Sequence, residues 1–102
     1  MTLYATTVIP ALDLTSGVDT LHRLSSPVVS VSHIGWNQKD HLFVAVLKTE
    51  TPLVLNQLDE TLKRFNVQLD RASYLGTALR RANQIAKVEV FDDIREDKLN
   101  QI

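Results

Sequence analysis

At 102 residues, with a hydrophobic fraction of 44%, a charged fraction of 23% and a formal net charge of −1, the chain has the size and balance of one soluble globular domain rather than a disordered segment. The near-neutral charge argues against a general nucleic-acid binder, which usually needs a basic surface to displace phosphate counterions. The absence of cysteine excludes disulfides, thiolate metal sites and cysteine nucleophiles.

The first residues lack a basic segment followed by an apolar core, and the longest apolar run, Leu42 to Leu47, is too short to cross a bilayer. A cytoplasmic protein without a membrane segment is the expectation. Leu3 to Ile9 mixes β-branched and aromatic residues and stops at Pro10, so it is predicted as a strand. Ser16 is placed to cap a helix over Gly17 to Leu24, with Val18, Leu21 and Leu24 on one face and Asp19 in the first turn. Ser25-Ser26-Pro27 ends that helix.

Val28 to Trp36 and His41 to Lys48 are predicted as a hairpin around the polar turn Asn37–Asp40. This turn would pair Trp36 with His41 and His33 with Val44, leaving His33 and His41 on opposite faces and unsuited to share a metal ion. It would also give His33 the same face as Val29 and Val31. Leu42 to Leu47 is apolar throughout, the mark of a strand buried on both faces. Thr51 then caps a helix with Pro52 at its first position. Leu55, Leu58, Leu62 and Phe65 form its apolar stripe, and Asp59/Lys63 and Glu60/Arg64 are acid-before-base pairs four residues apart.

A fourth strand is predicted over Asn66 to Tyr74, with Val67 and Leu69 on one face. Strand, helix, strand, strand, helix, strand in this order implies an α+β class, a ferredoxin-like βαββαβ sandwich whose antiparallel sheet is covered on one face. Leu75, Leu79, Ala82, Ile85 and Ala86 add a C-terminal helical segment. Lys87 to Phe91 reads equally as a strand or as more of that helix, and Asp92 to Ile102 as a solvated helix or tail. The whole forms a single domain, its core about 3–74 and its extension 75–102.

No nucleophile elbow, phosphate-binding loop, dinucleotide fingerprint or zinc-protease motif occurs, so a non-catalytic protein without cofactor or metal is expected. The segment Asp13-Leu-Thr-Ser-Gly-Val18 is the candidate site. A helix N-terminus offers unsatisfied N–H groups to a carboxylate, Gly17 permits close backbone approach, and Asp13 is placed to receive an ammonium. The same residues also read as a capped turn without a ligand.

With its acidic Asp13, the glycine and aliphatic residue Gly17-Val18, Leu21 and the strand at Val28-Val-Ser-Val-Ser, the chain resembles the ACT domain family of small regulatory modules. The resemblance covers residues 3–74, with Ser16 where family members often carry proline. It implies a homodimer formed side by side, with Ser30 and Ser32 at the interface. It further implies an amino acid or similar metabolite bound near Asp13, Ser16, Gly17 and Val18. The reading from another class is a protein-interaction or assembly module without a small ligand, using an open sheet edge or the segment from Leu75.

Overall fold

A computed structural model of the chain describes residues 2–24, 29–87, 92 and 93. In chain order these form β1 (Leu3–Pro10), α1 (Leu14–Leu24), β2 (Ser30–Asn37), β3 (Leu42–Thr49), α2 (Pro52–Lys63), β4 (Leu69–Ala72), α3 (Leu75–Ala86) and the two-residue β5 (Asp92–Asp93). The strands make one sheet in the order β4-β1-β3-β2-β5, and every pairing is antiparallel. The class is therefore α+β, and the element order exceeds βαββαβ by α3 and β5. No helix among the described residues is long and apolar enough to cross a membrane.

The strand β3 lies at the middle of the sheet, and Phe43 to Leu47 are wholly buried, which is why that run can be apolar at every position. Its odd-numbered residues Phe43, Ala45 and Leu47 join Ile9, Ile34, Val18 and Leu21 of α1, and Leu58 and Leu62 of α2, in the main core. Val44 faces the other way and packs with Ala82 and Ala86 of α3, beside Val8 and Leu42. The sheet is thus covered on both faces, not on one as the sequence pattern suggested. The difference lies in α3, whose buried residues are Ala78, Ala82 and Ala86. Alanine at a four-residue spacing gives little apolar signal yet lets a helix sit close on a sheet. Ile85, expected in the stripe, is instead 48% exposed.

Two hydrogen bonds fix how α3 crosses the sheet. Thr6 Oγ1 of β1 donates to the Ala78 carbonyl at 3.0 Å, and Asn37 Nδ2 at the end of β2 donates to the Ala86 carbonyl at 2.7 Å. The helix therefore runs diagonally from β4 and β1 toward the hairpin end of β2 and β3. Lys87 follows in the left-handed conformation, φ 55°, so α3 ends at Ala86. Val88 to Phe91, read as strand or helix, lie outside the described residues, as do the Ser25-Ser26-Pro27 stop and residues 94–102.

The hairpin differs in register from the expectation. Asn37 pairs with Leu42, Trp36 with Phe43 and His33 with Val46. Asn37 is the last strand residue because its Oδ1 accepts the Asp40 N–H at 3.0 Å, and His41 sits in the turn at φ 53°. A bulge between Val31 and His33 leaves Ser32 as the extra residue. It reverses the alternation, so Val29 and Val31 before it and Ile34 and Trp36 after it all reach the main core. His33 consequently shares the α3 face with Asn37, not the face of Val29 and Val31.

The second helix keeps its expected start, with Thr51 at the N-cap position and Pro52 in the first turn, but the Thr51 side chain makes no capping hydrogen bond. Leu55, Leu58 and Leu62 are buried, but Phe65 lies beyond the helix end and is 61% exposed. Lys63 Nζ meets Asp59 Oδ2 at 3.3 Å. Asn66 at φ 59° turns the chain back, which delays β4 to Leu69.

Candidate functional site

The helix α1 begins at Leu14, three residues before the expected Gly17. Asp13, not Ser16, caps it. Its Oδ1 accepts the Ser16 backbone N–H at 2.7 Å, the side-chain-to-N3 bond of a helix N-cap. This bond and a second from the Ser16 hydroxyl hold the Asp13 carboxyl below its ordinary range. Asp19 consequently lies beyond the first turn and is exposed.

Gly17 is the fourth residue of the helix and is buried. A Cβ built on it would lie 2.5, 2.6 and 2.8 Å from Phe43 Cγ, Cβ and Cδ2. The glycine therefore brings α1 down onto the Phe43 ring. Val18 is 3% exposed and belongs to the main core. Asp13 and Ser16 are thus brought together by a hydrogen bond, whereas Gly17 and Val18 turn into the interior.

Ser30 and Ser32 stand at the start of β2. Among the described residues, the outer edge of that strand is paired by β5 at His33 and Ile34. Ser32 Oγ lies 2.7 Å from His33 Nδ1. His41 packs edge-on against Trp36, with ring centroids 6.3 Å apart. Among the described residues no three of His, Asp and Glu converge as metal ligands.

Because α3 crosses diagonally, two opposite corners of its sheet face are left uncovered, and each holds a recess. The first, about 200 Å³, is lined by Thr2, Tyr4, Ser30, Lys48, Thr49 and Glu50. Tyr4 and Ser30 are the two cross-strand partners of Lys48, so a phenol, an ammonium and a hydroxyl form one row across three strands. Thr2 Oγ1 donates to Glu50 Oε1 at 2.7 Å, and this bond is the main cause that holds the carboxyl below its usual range. The second recess, about 170 Å³, opens at the far corner near Asp70 and Ile85.

Of the expected site residues, only Ser30 borders the first recess. The signal for the others lay in the sequence as Tyr4, Lys48 and Glu50, but these converge only through strand pairing. Comparison with protein-family models, with curated proteins and with solved structures finds no match for this chain.

Proposed function

We propose that this chain is a non-catalytic regulatory domain with a ferredoxin-like, ACT-like βαββαβ core, and that it binds an amino acid or similar small polar metabolite. The observation that carries the reading is the Tyr4–Lys48–Ser30 row at the uncovered corner, with Glu50 beside it. An ammonium flanked by two hydroxyls suits a carboxylate, and a carboxylate at the same recess suits an amine. The volume of about 200 Å³ fits a ligand of amino-acid size, below the range typical of drug-sized pockets. The ligand seat is accordingly the strand row and not Asp13 to Val18, where Gly17 is already filled by Phe43.

A side-by-side homodimer through Ser30 and Ser32 fits the same scheme. Ser30 stands both at the recess and at the outer edge of β2, so a second copy there would close the ligand in. The test is a thermal-shift screen of the purified chain against amino acids and small carboxylates, since a ligand of the native state raises its melting temperature by mass action. A saturable hit lost in Lys48→Gln supports the reading. A screen that stays flat at millimolar concentrations sinks it.

The second reading is an assembly module without a small ligand. It is favoured by the outer edge of β2, of whose eight residues two are paired among the described residues, because an open edge is a template for another strand. Light scattering of the wild type and of Ser30→Pro distinguishes the cases. A complex that forms without ligand and is lost in the proline variant supports assembly through this edge.

A further inference from the structure

The second recess carries an inference independent of the function proposed above. Its lining includes the apolar residues Val8, Pro10, Leu42 and Ile85. At its rim stands Asp70, directly opposite Thr6 in the ladder between β1 and β4 and half-buried. The Thr6 hydroxyl is already committed to the Ala78 carbonyl. Arg71, the cation next in sequence, lies on the opposite face of the sheet, where it bonds Asn56 of α2 at 2.5 Å. The Asp70 carboxylate has neither a hydrogen-bond nor an ion-pair partner among the described residues.

We infer that this corner is a binding site for a small organic cation, a primary or secondary alkylammonium whose chain lies on Val8, Leu42 and Ile85 and whose N–H groups reach the Asp70 carboxylate. Partial burial is what makes the carboxylate useful, since a charge pair screened by less water is stronger than an exposed one. Asn66 and Gln68 line the same recess, and residues of this type carry carbonyl acceptors for remaining N–H groups. The recess, about 170 Å³, has room for a small ligand such as a butylammonium. An acid is excluded by the Asp70 charge, and a neutral alcohol forfeits the charged hydrogen bond.

The experiment titrates the full chain with n-butylammonium chloride, n-butanol and sodium butyrate, following backbone amide shifts by NMR. Butylammonium is expected to give saturable shifts at Leu42, Gln68 and Ile85, with butanol at least tenfold weaker and butyrate without effect. Asp70→Asn should weaken butylammonium binding at least tenfold, while Lys48→Gln, at the other recess, leaves it unchanged. Ile85→Trp, which fills the recess from an exposed position, should abolish it and keeps the test decisive if Asp70→Asn does not fold. Equal affinity for butanol, undiminished binding in the variants that fold, or shifts that never saturate would overturn the assignment.

Discussion

Gly17 of α1 and Phe43 of β3 meet so closely that a methyl group on the glycine would fall 2.5 Å from the ring carbon Cγ. Phe43 is wholly buried at the centre of the sheet, so its ring cannot swing aside into solvent. The short segment from Asp13 to Val18 therefore serves the fold at three points. Asp13 caps the helix, Gly17 sets its distance from the sheet, and Val18 enters the core.

Gly17→Ala should consequently destabilise the domain although alanine is the better helix former. Overpacking a filled core costs about 1–3 kcal/mol, against a propensity gain of up to about 1 kcal/mol. The Phe43 side chain is the obstacle, so Gly17→Ala combined with Phe43→Ala, which removes the Cγ and Cδ2 contacts, should lose less than the sum of the two single changes. Urea denaturation of the four proteins measures this. Strict additivity would show that the contact is not what excludes alanine.

Gly76 provides the contrast. It lies in the first turn of α3, and a Cβ there would meet nothing within 4 Å. Gly76→Ala should stabilise the domain by about 0.5–1 kcal/mol, through helix propensity and a less flexible unfolded chain. A lowered melting temperature would contradict the open surroundings of this position.

What could be read in advance followed the strength of the local signal. The unbroken apolar run of β3, Pro52 at the start of α2 and the Leu55, Leu58, Leu62 stripe each had one physical solution, and the structure has it. The α1 start was misplaced because Asp13 and Ser16 are both good caps, and only the approach to Phe43 requires Gly17 inside the helix. The bulge at Ser32 and the left-handed His41 leave no periodic trace, so the faces of β2 could not be assigned correctly. The recesses were invisible for a different reason. Tyr4, Ser30 and Lys48 are far apart in sequence, and a diagonal α3 carried by alanines decides which corners stay open.

Asn37 holds two elements with one side chain. Its Oδ1 accepts the Asp40 N–H, while its Nδ2 donates to the Ala86 carbonyl at 2.7 Å and to Asp40 Oδ2 at 3.1 Å. Asn37→Ala should cost about 1–3 kcal/mol through loss of these bonds at a half-buried position. Asn37→Asp keeps the turn acceptor but sets a carboxylate against the Ala86 carbonyl and the Asp40 carboxylate. Its melting temperature at neutral pH should therefore be no higher than that of the alanine variant. An aspartate variant as stable as wild type would show that the tie between hairpin and α3 contributes nothing.

The cap on α1 makes stability depend on acid. Ser16 stabilises the ionised form of Asp13, so the folded-state value lies below the ordinary 3.8. With the native value depressed, the contribution is complete above that ordinary value and is lost as pH falls through the folded one. Asparagine also caps helices but does not titrate in this range. Wild type should therefore lose melting temperature relative to Asp13→Asn as pH is lowered from 6 to 3, and Glu50, common to both proteins, cancels from the difference. A difference that stays constant down to pH 3 would mean that Ser16 does not hold the charged carboxylate in the folded chain.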